Sequence, residues 1–221
     1  MNNQTQYSVT TNSTYKQYQT LARVNQPLVI PYLDASEKVM LAACAEHKRT
    51  FAVRIDLRLP AYSNTIDLDS NKVIKRFIAS LGAQIKADTK RKARKTREGR
   101  TPHPCNVRYI WAREQSTAHH QHYHLVLFFN KDRYHCTGKI NEESDNLFTR
   151  IVKAWASALH LPLDETMRLV HLPQNAHYYL DANNPNFTQD FHALFYRLSY
   201  FTKLNTKQYG LGQRCFGYSQ R

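Results

Sequence analysis

The stretch from His122 to Phe129, HYHLVLFF, decides the fold. From Leu125 onward every side chain is apolar, so neither face of this strand belongs in water and it lies inside a sheet. Just upstream, Val107 to Glu114 (VRYIWARE) reads as a second strand, joined to the first by the seven-residue loop QSTAHHQ. Farther out, Phe51 to Leu59 (FAVRIDLRL) alternates apolar with charged residues and stops at Pro60, as a half-buried strand does. Its charged side chains Arg54, Asp56 and Arg58 share one face, which suits either a groove lining or a cross-strand charge ladder.

Helical periods surround these strands. Asp34 stands three residues before Glu37, a capping box that would open a helix through Val39, Leu41 and Cys44. Ser70 can cap a second helix with Val73, Ile74, Phe77, Ile78, Leu81 and Ile85 on one face. Asn141 to about His160 repeats the pattern, Met167 to Leu172 suggests a short strand, and a last helix spans about Thr188 to Lys203. Residues 1–22 are mostly Asn, Gln, Thr, Ser and Tyr, a composition that predicts a flexible polar arm. The expectation is an α+β protein, with a single domain over 23–221 built on a central, mainly antiparallel sheet flanked by helices.

Composition narrows the class. In 221 residues, 31 Lys and Arg outnumber 17 Asp and Glu, for a net charge of +14 that favours a polyanionic partner. Eight of the basic residues fall between Lys86 and Arg100, against Asp88 and Glu98. Within that run Lys90, Arg91, Lys92, Arg94, Lys95 and Arg97 are candidate DNA contacts, and a solvated helix end is the plainer reading. Neutralising about five phosphates would give a log–log salt slope near −3.5 on single strands. The four cysteines are far apart, with no zinc-knuckle spacing, and read as reduced thiols. No apolar run is long enough to span a bilayer, and the first residues lack the plan of a signal peptide. These features lead us to expect a soluble intracellular protein without a membrane partner.

Two groups of residues carry chemistry. His122 and His124 are two apart in a strand and so share a face. If the hairpin is antiparallel, Glu114 comes nearly opposite His122. Two imidazoles and a carboxylate suit a divalent ion such as Mg²⁺ or Mn²⁺. The same residues also suit a pair of structural histidines, and His119 or His120 could replace Glu114 as a ligand. In the last helix, Tyr196, Tyr200, Lys203 and Lys207 are spaced four, three and four, which places two phenols and two ammonium groups on one helical face. A phenol attacks phosphorus only if its charge is stabilised or the phosphate is polarised, and a metal with a lysine supplies both.

Together, His122-Tyr123-His124, Glu114 upstream and Tyr200-Phe-Thr-Lys203 downstream resemble the HUH endonuclease superfamily. HYHLVLFFNKD followed later by RLSYFTKLNTK is more closely similar to the inovirus gene-two replication proteins, also described as the YagK/YfjJ C-terminal domain family. The resemblance spans about residues 50 to 210. It implies an RRM- or palm-like sheet with the histidine strand at its centre. It also implies metal ligands His122, His124 and Glu114, a nucleophile Tyr200 assisted by Lys203, and Tyr196 as a possible second nucleophile. The implied activity is nicking and joining of single-stranded DNA at a replication origin, initiating rolling-circle replication of a phage or related mobile element in a bacterial cytoplasm. Attack on the phosphodiester leaves a 5′-phosphotyrosine and a free 3′-hydroxyl. No Walker-type loop is present, so a host helicase is an expected partner. Two rivals remain: a non-catalytic basic DNA- or RNA-binding regulator, and a metallohydrolase that uses water.

Overall fold

The computed structural model describes residues 7–61, 67, 70–95, 102–115, 121–139, 145–209 and 212–220. Four two-residue strands come first: β1 (Val9–Thr10), β2 (Thr14–Tyr15), β3 (Tyr18–Gln19) and β4 (Leu28–Val29). Helix α1 (Ile30–Glu46), strand β5 (Arg49–Arg58), helix α2 (Lys72–Lys95), strands β6 (Arg108–Glu114) and β7 (His122–Asn130) and helix α3 (Leu147–Leu159) follow. A short α4 (Leu163–Met167) precedes β8 (Val170–His171), β9 (His177–Asp181), α5 (Phe187–Ser199), a 3₁₀ turn over Tyr200–Thr202, and β10 (Phe216–Tyr218).

Six strands form the central sheet in the order β10-β6-β7-β5-β8, and β9 also pairs with β5. Every pairing in it is antiparallel. The apolar strand β7 lies between β5 and β6, away from both edges, as its composition requires. The protein is therefore α+β, with a mainly antiparallel sheet flanked by helices.

Alternation along β5 and β7 sorts the layers. Phe51, Val53, Ile55 and Leu57 face the same side as Tyr123, Leu125, Leu127 and Phe129, and all eight are buried in one cluster with α2 and α3. Phe77 of α2 and Trp155 of α3 meet edge to face there, 5.8 Å between ring centroids. The other face offers Ala52, Val126, Phe128 and Ile110 to α1 and α5. Toward one end of the strands the residues on that face turn polar: Arg54 and Asp56 on β5, His122 and His124 on β7. That polar end is the candidate site.

Several expectations need correction. The segment expected to be a mobile arm folds back onto the domain from residue 7. Tyr18 is buried, stacked on Phe195 at 4.2 Å, and its phenol donates to Glu37 at 2.9 Å. Counting aliphatic residues overlooked the surface that tyrosine can bury. Asp34 and Glu37 do not cap α1. They accept from Tyr15 and Tyr18 and pair with Lys16, which fastens the β2–β3 hairpin to the helix. The helix begins earlier, at Ile30, because Pro31 in the first turn lacks an N–H that would go unpaired anyway.

The start expected for α3, Asn141, lies outside the described residues. The observed helix opens at Leu147, where the Asn146 side chain accepts from the Thr149 N–H at 2.9 Å. The expected strand over Met167–Leu172 shrinks to β8, and its first residue ends α4. The last helix stops at Ser199, short of Lys203. Strand β10 was not foreseen. Its Gly217 lies against Trp111 so closely that a Cβ would overlap the indole. A short glycine-containing strand leaves little periodic signal.

Candidate metal centre

Strand register builds the site. Glu114 stands directly opposite His122 across β6 and β7, and His124 stands opposite Asp56 across β7 and β5. One atom from each of Glu114, His122 and His124 falls within 4.8 Å of the others. The two imidazoles face each other through Nε2 at 3.1 Å, and His124 Nε2 is 3.4 Å from Glu114 Oε2. These separations match the edges of a coordination shell with bonds of about 2.1 Å. Two nitrogens and a carboxylate oxygen are a donor set for Mn²⁺ or a similar divalent ion. His119 and His120, the alternative ligands, lie outside the described residues, as does Arg97.

Around this triad lies a supporting set in which Thr206 was not singled out by the sequence, and Asp56 and Lys207 were named for other roles. His124 Nδ1 is 2.6 Å from Asp56 Oδ1, which fixes the ring and leaves Nε2 directed at Glu114 and His122. Thr206 donates to Glu114 Oε1 at 2.9 Å, and Lys207 Nζ lies 3.4 Å from the same oxygen. Burial opposes a charge on His124, but its hydrogen bonds to Asp56 and Glu114 outweigh it and raise the imidazole above its ordinary value. Burial would likewise raise Asp56 and Glu114, and each is lowered instead by its contacts with His124 and by a basic neighbour, Arg54 and Lys207 respectively. The two carboxylates that favour a proton on this ring equally favour a divalent cation beside it.

Tyr200 sits against the triad. Its ring meets that of His124 edge to face, 5.6 Å between centroids. Phe201 stacks on His124 at 5.8 Å. The Lys203 ammonium stands 4.3 Å over the Tyr200 ring, and the Arg54 guanidinium is 5.5 Å from it. Arg54 is only 8% exposed; among the described residues its Nε has no hydrogen-bond partner and stands 3.5 Å from Asp56 Oδ1. Burial raises the Tyr200 phenol, Glu114 adds to the effect, and Arg54 opposes it. Burial lowers Lys203, Glu114 works against the shift, and Arg23 adds to it.

The shared helical face expected for Tyr196, Tyr200, Lys203 and Lys207 does not form. The helix tightens to 3₁₀ at Tyr200, and Lys203 is extended, so the spacing rule lapses. Tyr196 lies one turn before Tyr200 and is 41% exposed on α5. Lys207, expected to contact DNA, is buried between Glu114 and the Lys203 carbonyl, to which it donates at 2.7 Å. Burial pushes its ammonium down to about 8, although Glu114 resists. An isolated ammonium in that position would be costly, and pairing with Glu114 makes it tolerable.

The basic stretch of α2 lies elsewhere. Asn71, just before α2, touches Arg113 and Tyr123 near the triad, whereas Asp88 touches Arg133 and Tyr134 beyond the far end of β7. Seventeen residues of helix separate the two, about 25 Å. Lys90, Arg91, Lys92, Arg94 and Lys95 are exposed at that far end, on the opposite side of the sheet from α5. Arg91 and Lys92 pair with Asp88.

Among the described residues no helix is long and apolar enough to cross a membrane. No solved structure matches the chain significantly. The uncharacterized protein YagK of Escherichia coli K12 is 38% identical over 199 residues, covering 87% of this chain and 93% of its own length. The uncharacterized protein YfjJ of the same organism is 35% identical over 196 residues, covering 86% and 93%. A family model described as the YagK/YfjJ C-terminal domain matches residues 10–219, from the first small strand through β10, and the chain belongs to that family.

Proposed function

We propose that the chain is a metal-dependent endonuclease of the HUH type that nicks and rejoins single-stranded DNA to start rolling-circle replication of a phage or related element. The observation that carries this reading is the seating of Tyr200 against His124, with Lys203 over the same ring. A structural tyrosine would need neither the ligand triad nor an ammonium on its face.

The Tyr200 hydroxyl attacks the scissile phosphorus. The P–O3′ bond breaks, the 5′-phosphate is carried on the tyrosine oxygen, and the 3′ end departs as a hydroxyl that can prime synthesis. Attack by a 3′-hydroxyl on the phosphotyrosine reverses the step, so joining needs no nucleotide cofactor. Burial and Glu114 keep the phenol protonated before reaction, and Arg54 and Lys203 are the cations placed to stabilise its charge as the proton leaves. Glu114, His122 and His124 would hold a divalent ion such as Mg²⁺ or Mn²⁺, which would supply Lewis-acid polarisation of the phosphate and offset the Glu114 charge. Asp56 positions His124 throughout. Tyr196 lies one turn away as a candidate second nucleophile for strand transfer. The remaining partners in this reading are an origin sequence and a host helicase.

The test is a denaturing gel of the protein with labelled single-stranded DNA and Mn²⁺, comparing wild type with Tyr200→Phe. A covalent protein–DNA band that the substitution abolishes is the expected result. Binding without cutting on varied sequences would leave a basic regulator instead. Cutting with no adduct would point to a water-using hydrolase.

A further inference from the structure

One cross-strand row ties the triad to a second feature. Phe216 pairs with Ala112, Ala112 with His124, and His124 with Asp56, so all four lie on one face of the sheet. Phe216 is two strand spacings from His124, about 10 Å. At this end of the row opens a cleft of about 520 Å³ walled by Tyr7, Tyr32, Tyr209, Phe216 and Tyr218, with the exposed Arg214 also lining it.

The rings in the cleft are unevenly covered. Tyr32 lies flat on Phe216, 4.4 Å apart with 9° between planes, and this pair forms the floor. Tyr7 meets Tyr32 at 5.7 Å with a tilt of 54° and Tyr209 at 5.0 Å with 47°, so neither contact is a parallel stack, and all three rings are half-buried. Tyr218 flanks Phe216 at 6.1 Å. Phe216 belongs to the core on this face of the sheet, with Tyr32 and Tyr218 packed against it, and Tyr7 and Tyr209 carry the aromatic surface beyond that core. Arg214 has no carboxylate partner among the described residues, and the whole chain carries +14.

We infer that this cleft takes nucleobases of the DNA strand that continues from the scissile phosphate, stacking them on Tyr209 and its neighbours with Arg214 on the backbone. The inference rests on the nickase reading for its choice of ligand. Aromatic faces with a cation nearby suit unpaired bases of any sequence, because every base presents a π-face. A double strand hides those faces, so the cleft would also select single strands. A second copy of this chain is the other possible occupant, but the excess positive charge works against self-association.

The experiment measures binding without divalent metal, so that cutting cannot intervene. Oligonucleotides of equal length and charge, one normal and one with abasic sites across its centre, are titrated by fluorescence anisotropy. The expected result is about ten-fold tighter binding of the normal strand for each base that stacks. Tyr209→Ala should lose about ten-fold for the normal strand and nothing for the abasic one, whereas Tyr209→Phe should bind as wild type does. On the wild-type protein, 5-iodouracil in the strand should photocrosslink to peptides holding Tyr209 or Tyr218, a readout independent of any variant's folding. Equal affinity for both strands, or crosslinks confined to α2, would overturn the inference. So would a sedimenting dimer that Tyr209→Ala dissolves. If base-dependent binding and these crosslinks appear but no adduct forms with Mn²⁺, the nickase reading fails and the cleft stands. If adducts form equally on normal and abasic strands and in Tyr209→Ala, the nickase stands and the cleft reading fails.

Discussion

Two buried charge clusters occupy opposite faces of the same sheet and follow opposite plans. At the far end of α2 one buried carboxylate, Asp88, is gripped by Arg91, Lys92, Arg133 and Arg150 and by the Tyr134 phenol, and the exposed Asp145 joins Arg91 and Arg150 from outside. At the other cluster two carboxylates, Glu114 and Asp56, flank one histidine, and a second histidine points its Nε2 at the first. Around Asp88 the cations close on their acceptor, so the cluster locks α2 to α3 and to the turn after β7. Around His124 the acceptor atoms converge on one another, an arrangement that a cation completes. Charge alone does not distinguish a strut from a reaction centre; the direction in which lone pairs point does.

The comparison breaks first at the chemistry. His124→Ala should cut adduct formation by about a thousand-fold or more while single-stranded DNA binding stays within a few-fold. Mn²⁺ should raise the melting temperature of the wild type and not of the variant. Comparable losses of binding and cutting would make the triad structural, like Asp88.

The strut should fail in the other currency. Asp88→Asn leaves Arg133 buried without its carboxylate partner among the described residues and Arg150 with only the exposed Asp145, at a cost of about 3 kcal/mol and about 10 °C in melting temperature. Nicking below the transition should persist. Burial alone would raise the Asp88 carboxyl, but the Arg91 hydrogen bond and the charges of Arg150, Arg133 and Lys92 bring it down to about 2. An unfolded aspartate titrates near pH 4, so this contribution is complete above that pH and fades as pH falls toward 2. Urea melts at pH 5 and pH 3 should therefore show the gap between wild type and Asp88→Asn narrowing at the lower pH. An unchanged gap would remove Asp88 as the cause.

Asp56→Asn sharpens the comparison more gently. It keeps the shape beside His124 Nδ1 but loses the charge, and should weaken Mn²⁺ binding by about 10- to 100-fold in a calorimetric titration. The smallest effect belongs to the exposed basic end. Replacing Lys90, Arg94 and Lys95 by Gln should flatten the salt dependence of DNA binding and weaken it a few-fold, without changing cutting of bound strands. An unaltered slope would place the DNA wholly on the triad's side of the sheet.

Local periodicity made much of this legible. The burial of β7 and the Glu114–His122 pairing follow from one unbroken apolar run and one hairpin, and α2 follows from its helical apolar face. What could not be read depends on pairings between residues far apart in sequence. Asp56 meets His124 only because β5 adopts one register on β7, and a shift of one residue would have turned its carboxylate to the other face. Lys207 looked like a surface cation because nothing in its neighbourhood announces that the chain turns back onto Glu114. The Tyr18 hairpin was hidden in polar composition, and β10 in three residues around a glycine.

The turn that carries Tyr200 is also fastened from the opposite end of the chain. The Leu21 N–H donates to Ser199 Oγ across 178 residues of sequence, Leu28 bridges Lys203, and the Leu204 N–H bonds the Pro27 carbonyl. During synthesis these early residues leave the ribosome long before their partners are made. The phenol therefore has no fixed seat until the chain has been made through Leu204, and contacts this distant in sequence form slowly. A nascent or prematurely stopped chain could gather its histidines and still lack a seated Tyr200. Under the proposed function, strand cutting would then be withheld from incomplete molecules by the order in which the chain is made.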